Sequence, residues 1–218
     1  MNASVPVIRE EGGLLKTVGL VSAGHPEIVV RKPTANLDRP TRELLGHLAK
    51  DVMQRGAVFR DGETLELGYW LLRFTARGSG LELWERTADG ERHVEGCELA
   101  AGYWQAQHEV CAQAGAEFSP PRPDQRAAVS PGVLEGKAVD GVRYPAPPHM
   151  SGWWFLADDF QGDTSCVTVH HLVHISARRP DLAPYLALPH GFRFTQRAPR
   201  APWFDQEVAA RAIPSDNC

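Results

Sequence analysis

Three histidines late in the chain are the residues best spaced to bind a metal ion: His170, His171 and His174. In a helix, His170 and His174 would lie one turn apart, the spacing that helical zinc sites use. In a strand they would be about 13 Å apart, at about 3.3 Å per residue, which is too far for one ion. The segment from Cys166 to Ala177 could begin as a strand or form a helix. A metal-dependent hydrolase using this cluster is therefore one alternative, while packed or solvated imidazoles are the favoured interpretation.

The cysteines offer little further chemistry. Cys166 precedes His170 by four residues, which could pair a thiol with an imidazole, but no third group is at hand to orient such a pair. A small buried cysteine is the favoured interpretation of Cys166. Cys97, Cys111 and Cys218 are far apart and form no CxxC pair, so free thiols are expected.

An acidic turn contains Asp158, Asp159 and Asp163. Its spacing fits no calcium-binding loop of the helix-loop-helix type, so a solvated loop is the favoured interpretation. As a surface facing a partner, the same three carboxylates could meet a basic protein surface and speed association. They are candidate binding residues on that basis.

The acidic turn follows an aromatic strand, predicted at Trp153–Ala157. Neighbouring residues of a strand point to opposite faces, so Trp153 and Trp154 cannot both face the core. We predict that Trp153 points inward and that Trp154 is left available on the outside. Large aromatic side chains of this kind either fill a core or anchor an interface. Both tryptophans join the three aspartates as candidate binding residues.

The N-terminal half predicts strands and two helices. Strands are expected at Leu14–Leu20 and Glu27–Arg31, followed by a helix that starts near Asp38 and stops at Gly56. A second helix is predicted at 98–114, with Gly115 ending it.

Between these helices the apolar residues alternate, which is typical of strands. Leu65, Leu67, Tyr69 and Leu71 predict one strand that includes 66–74. A second strand is predicted at 81–86, after a turn at 77–80.

Residues 117–148 are dense in proline and glycine, which predicts a connector crossing the surface. A domain boundary is expected near residue 125, giving subdomains 1–125 and 126–218. Beyond the aromatic strand, a short helix is predicted at 181–186 and a last strand at 192–196. The predicted fold class is α+β: a mostly antiparallel sheet with packed helices, in two subdomains.

Composition and charge narrow the function classes. The chain has 218 residues, 27 acidic against 23 basic side chains, a net charge of -4 and a pI near 6.1. This balance argues against a nucleic-acid partner, which would favour a basic excess. The first residues lack the pattern of a secretory signal, and no apolar run is long enough to cross a membrane. A cytoplasmic protein without a membrane partner is expected.

The C-terminal part resembles the bacterial polymorphic-toxin family known as immunity protein 33. The resemblance rests on the strand Ser151–Phe155 with its acidic turn, on the segment Arg179–Leu186, and on Pro189–Phe194. Family members have a Ser-Gly-Trp strand, an acidic loop, a short Pro-Asp helix ending in a Tyr-Leu pair, and a terminal strand of the form Pro-x-Gly-x-x-Phe. The chain departs from this pattern at Met150, where an aspartate commonly precedes the serine, and in the short loop after Asp159.

The N-terminal part resembles a second bacterial family, which is uncharacterised and of unknown function. The similarity lies in Thr17–Leu20, in Gly24–Val30, and in the turn at Gly62–Thr64. That family begins with a hairpin of the form TVGL…G-x-PE. The resemblance implies an α+β fold and no particular activity.

Together the resemblances imply a non-catalytic binding protein that neutralises a cognate toxin and needs no cofactor. Two other functions remain open at this point. One is the metal-dependent hydrolase using His170, His171 or His174, and the other is a regulatory homo-oligomer that associates through the aromatic patch.

Overall fold

The structure is a computed structural model that describes residues 7–213. Within it, the chain divides into two compact units. Unit 1 comprises residues 1–87 and 91–105, and unit 2 comprises residues 88–90 and 106–218. Each unit has its own sheet, and most strand pairs are antiparallel, which confirms the predicted α+β class. The boundary expected near residue 125 stays a prediction, and Cys218 lies outside the described residues.

Unit 1 is built on a seven-stranded sheet with the order β1-β2-β3-β6-β5-β4, in which β7 also pairs with β6. The strands are β1 (Val7–Glu11), β2 (Leu14–Val18), β3 (Ile28–Arg31), β4 (Thr64–Leu67), β5 (Trp70–Arg77), β6 (Gly80–Arg86) and β7 (His93–Glu95). The pair β3/β6 is parallel, and the other pairs are antiparallel.

The first helix, α1 (Asp38–Arg55), buries one apolar stripe that includes Leu44, Leu48 and Val52. These residues recur every four positions and so lie on one face. Gly56 ends the helix with φ of +68°, as the sequence predicted.

The single strand predicted from 66 to 74 is wrong. Leu67 pairs with Trp70, so the chain reverses between them through a two-residue turn at Gly68 and Tyr69. Gly68 has φ of +55°, a conformation that favours glycine. Apolar residues alternate along the sequence on both sides of the turn, so the pattern of two strands resembled that of one longer strand.

The second helix, α2 (Glu98–Gln113), lies where the sequence predicted it. Its start is held by Glu85 of β6, whose carboxylate accepts hydrogen bonds from the backbone N–H groups of Leu99 (3.1 Å) and Ala100 (2.8 Å). Glu85 is buried, and this burial raises the pKa of its carboxyl group above the ordinary value. The division between the units falls within α2, after residue 105.

Unit 2 contains a six-stranded sheet with the order β11-β8-β10-β9-β12-β13. The strands are β8 (Arg126–Val129), β9 (Val139–Arg143), β10 (Met150–Ala157), β11 (Thr168–His171), β12 (Phe192–Thr195) and β13 (Trp203–Phe204). Two short helices accompany them, α3 (Leu172–Arg178) and α4 (Gln206–Ala209), together with a 3-10 helix at Pro180–Tyr185. The aromatic strand β10 is an inner strand, parallel to β8 and antiparallel to β9.

The connector predicted for residues 117–148 is also wrong, because this stretch supplies β8 and β9. Both strands are short enough to fit between the prolines and glycines. β8 lies between Pro123 and Pro131, and β9 lies between Gly136 and Pro145. The expectation that this stretch forms no long helix is confirmed.

Candidate functional site

The Ser-Gly-Trp sequence of β10 forms a β-bulge. The pairing of β10 with β8 shifts register between Met150 and Trp154. At the bulge Gly152 has φ of +81°, and a Cβ atom there would lie 2.0 Å from the carbonyl oxygen of Tyr144. The Ser151 hydroxyl donates to the carbonyl of Arg126 (2.9 Å) and accepts from the Trp153 N–H (3.3 Å). The bulge therefore requires glycine, and it sets the direction of the tryptophans that follow.

Trp153 points into the core of unit 2 and is fully buried. Its ring stacks on Phe155 with centroids 5.6 Å apart and also contacts Phe194. Its indole N–H donates to the carbonyl oxygen of Leu186 at 3.1 Å. Trp153 is thus a core residue that packs the inner face of β10 against the interior of unit 2.

Arg143 of β9 lies in the same interior and is 4% exposed. Its guanidinium donates to four carbonyl oxygens, those of Ser119 (2.5 Å), Ser151 (2.9 Å), Leu186 (3.2 Å) and Leu188 (2.6 Å). Burial lowers its pKa to about 10, so the group is still charged at neutral pH. Arg143 ties the bulge to two separate loops of unit 2, because one guanidinium donates to backbone carbonyls of all three segments.

Trp154 faces the opposite side of the sheet and is partly exposed. It forms part of a cavity of about 720 Å³. The apolar lining is contributed by Tyr144, Pro145, Ala146, Pro147, Met150, Trp154, Leu156 and Phe160. The volume is in the range of cavities that bind ligands, and the lining has the apolar and aromatic character that such sites share. We call this cavity the Trp154 groove.

The polar part of the Trp154 groove includes Arg211, Thr164 and His149. The guanidinium carbon of Arg211 lies 4.8 Å from the centroid of the Tyr144 ring, a cation–π contact. The Tyr144 ring in turn meets Trp154 edge-on, with centroids 6.2 Å apart. No carboxylate among residues 7–213 forms an ion pair with Arg211. A cation is therefore held at the groove, and no described carboxylate pairs with it.

The acidic loop that follows β10 forms another wall of the groove, through Phe160, Gly162 and Thr164. Two of its aspartates are engaged locally. The Asp159 carboxylate pairs with Lys137, and that of Asp163 accepts from the backbone and hydroxyl of Ser165.

These contacts hold the pKa values of both Asp159 and Asp163 below the ordinary value. Asp158 is exposed, and its backbone N–H donates to the carbonyl of Ala138 at 3.0 Å.

The structure therefore brings Trp154 together with Phe160, Gly162 and Thr164 of the acidic loop, while none of the three predicted aspartates lines the groove and Trp153 lies in the core. Tyr144 and Arg211 complete the groove and were missed by the sequence reasoning. They come from segments far from β10 in the chain, and neither belongs to a recognisable motif. The adjacent residues Trp153 and Trp154 are the signal by which the sequence predicted β10.

The three histidines lie where a strand meets a helix. His170 and His171 end β11, and His174 belongs to α3. The segment thus begins as a strand, one of the two alternatives expected, and neither a helix nor a strand spans all three histidines. His170 Nε2 lies 2.9 Å from the Thr168 hydroxyl, and His171 Nδ1 donates to the carbonyl of Asp124 at 2.9 Å.

The ring centroids of His171 and His174 are 6.0 Å apart. In the part of the chain that the structure describes, no three His, Cys, Asp or Glu side chains are grouped so as to hold a metal ion.

The described cysteines are free thiols. Cys97 and Cys111 are buried, and burial raises the pKa of both thiols. Cys166 is exposed, contrary to the expectation of a buried residue, because it lies in the 3-10 turn Thr164–Cys166. Its thiol contacts the carbonyl of Asp163 at 2.9 Å, and no hydrogen bond joins it to His170 among the described contacts.

Among residues 7–213 there is no helix with the length and apolar character needed to cross a membrane.

Comparison with known proteins gives one family. Residues 106–205 match the family model described as Imm33-like domain. This range includes the bulged strand, the acidic loop and most of the Trp154 groove, and it supports the immunity-protein resemblance of the C-terminal part. The N-terminal resemblance to an uncharacterised family has no support. No match was found among curated proteins or among solved structures.

Proposed function

We propose that this chain is a non-catalytic bacterial immunity protein that acts in the cytoplasm by binding and neutralising a cognate polymorphic toxin. The observation that carries the proposal is the coincidence of the family match with an apolar groove at the surface of the same range. The Imm33-like range includes β10 and the acidic loop, and these two elements form the floor and one wall of the Trp154 groove.

The groove has the features of a protein-binding surface. Its lining includes a large aromatic side chain, Trp154, and tryptophan is among the residues that most often dominate binding energy. Arg211 lines the groove, and the loop that supplies Phe160, Gly162 and Thr164 to its wall also carries Asp158, Asp159 and Asp163. Such an arrangement gives an apolar centre with a polar rim, which is how protein interfaces are commonly built.

The experiment is a rescue and pull-down with the toxin encoded beside this gene. The full chain should protect a bacterial strain that expresses the toxin and should copurify with it. Trp154→Ala should weaken the complex by about 2 kcal/mol or more, close to thirtyfold in Kd.

The matched control is Trp84→Ala, which removes another partly exposed tryptophan, in unit 1 and outside the Imm33-like range. It should leave affinity and protection unchanged. Failure of the unmodified chain both to protect and to bind would refute the proposed function.

A further inference from the structure

The Trp154 groove has a positive end. Arg211 lies over the Tyr144 ring, and the Tyr144 backbone N–H donates to the Gly152 carbonyl at 2.9 Å. Arg211 is therefore located beside the bulge, near the start of β10. A guanidinium held over an aromatic ring still presents its N–H groups to a carboxylate, which it can bind in bidentate fashion.

A negative charge lies just beyond the opposite end of the groove. Asp158 follows directly after β10, two residues beyond Leu156, which lines the groove. Asp158 itself lies outside the lining, and its side chain forms no ion pair with the described residues. From Gly152 to Asp158 the strand advances by about 20 Å, at about 3.3 Å per residue. That separation exceeds the span of an ordinary small ligand, whereas an extended peptide of about six residues covers it.

The floor between the two ends is apolar. Met150, Trp154 and Leu156 line it from β10, and Pro145 and Pro147 form a wall. Proline fixes φ, so this wall loses little conformational freedom when a partner binds. A bound chain would place alternate side chains on the apolar floor and its charged residues at the ends.

We propose that the groove binds an extended segment of the partner protein, with an apolar centre over Trp154, an acidic residue at the Arg211 end and a basic residue at the Asp158 end. This rests on the proposed function, since it defines which part of a toxin the chain would hold. The two unlike charges fix the direction in which the segment lies, and they reject segments of a single charge sign.

The test selects binders for the intact chain from a displayed library of random peptides, with counter-selection against Trp154→Ala. Enriched peptides should share an apolar centre flanked by one acidic and one basic residue. Arg211→Glu and Asp158→Lys should each weaken a selected peptide by about three- to tenfold, since an exposed attractive pair becomes repulsive. The double variant should bind again when the two charged residues of the peptide are exchanged.

Matched controls are Arg178→Glu and Glu117→Lys, which reverse exposed charges that do not line the groove. They should leave peptide affinity unchanged, and circular dichroism should show that all variants are folded. Enrichment of purely apolar peptides, enrichment of none, or equal loss in the controls would overturn the inference. If peptides fail while the neighbouring toxin is still bound and neutralised, the inference falls and the proposed function stands. If peptides bind as described but no toxin is neutralised, the reverse holds.

Discussion

At the scale of single residues, Gly152 decides how the aromatic strand is used. Its φ is positive, and a Cβ atom at this position would lie 2.0 Å from the carbonyl oxygen of Tyr144, so there is no room for a side chain. The bulge then presents Trp153 to the core and Trp154 to the groove. Tryptophans on opposite faces were predictable from strand alternation, while the bulge that orients them depends on β8, a strand that the sequence did not predict.

Replacement of this glycine tests the bulge. Gly152→Ala should lower the free energy of unfolding by about 2 kcal/mol or more, because alanine is strained at this φ and meets the Tyr144 carbonyl. Chemical denaturation measures the change. Gly46→Ala is the control, since Gly46 lies inside α1 with open space around it, and alanine favours a helix by up to about 1 kcal/mol. A neutral Gly152→Ala would contradict the role given to the bulge.

Arg143 is a second residue whose removal has a defined cost. Arg143→Met keeps much of the buried chain but leaves the carbonyls of Ser119, Ser151 and Leu188 without their donor. We expect a loss of about 3 kcal/mol in unfolding free energy, measured by denaturation. Arg178→Met, at an exposed position, should change stability by no more than about 0.5 kcal/mol. Equal effects of the two variants would show that the buried network contributes nothing.

At the scale of elements, the sequence predicted the helices in which the apolar period and the residues that end a helix agree. α1 and α2 have stop glycines where their apolar stripes end, and both were found. The turn at Gly68 was missed because apolar residues alternate across it, although a glycine within a strand pattern is itself a turn signal. β8 and β9 were missed because strands of four and five residues fit between closely spaced prolines and glycines and leave too short a pattern to recognise. They are stabilised by neighbouring strands that are distant in sequence.

The same limit applies to the histidine segment. Local pattern allowed a strand or a helix, and the structure has one followed by the other. β11 pairs with β8, so the point where the strand stops depends on a partner more than thirty residues earlier in the chain. The candidate site was predictable to the same degree. Trp154 was found from a local motif, and the aspartates of that motif lie in the loop that forms one wall but stay predictions as binding residues. Tyr144 and Arg211 join Trp154 only through the fold.

The start of α2 gives a pH-dependent prediction. Burial raises the folded-state pKa of Glu85 above its ordinary value of 4.5, so the folded protein holds this proton more tightly than the unfolded chain does. The contribution of Glu85 to stability is therefore fully present below pH 4.5 and falls as pH rises through the raised pKa.

Glu85→Gln cannot titrate at this position. The unfolding free energy of the unmodified protein, minus that of Glu85→Gln, should therefore decrease as pH rises across this window. Denaturation of both proteins over a series of pH values measures it. A difference that grows with rising pH would mean that the hydrogen bonds from Leu99 and Ala100 outweigh desolvation.

At the scale of the whole molecule, a binding protein and an enzyme differ in stoichiometry. If this chain neutralises a toxin by covering it, each molecule can protect against only one toxin molecule. When the purified chain is titrated into a fixed amount of toxin, the toxin activity should then fall linearly and reach its end point at a one-to-one molar ratio. A hydrolase that used His170, His171 or His174 would instead act at substoichiometric amounts and over time.

Metal removal separates the same two cases. Prior treatment with EDTA should leave both the end point and the rate of neutralisation unchanged, because the proposed contact surface around Trp154 and Arg211 needs no ion. The His170→Ala/His174→Ala variant removes two of the possible metal ligands, and it should neutralise the toxin as well as the unmodified chain does. Loss of neutralisation on chelation, restored by Zn²⁺ and absent in that variant, would assign the activity to the histidine segment in place of the groove.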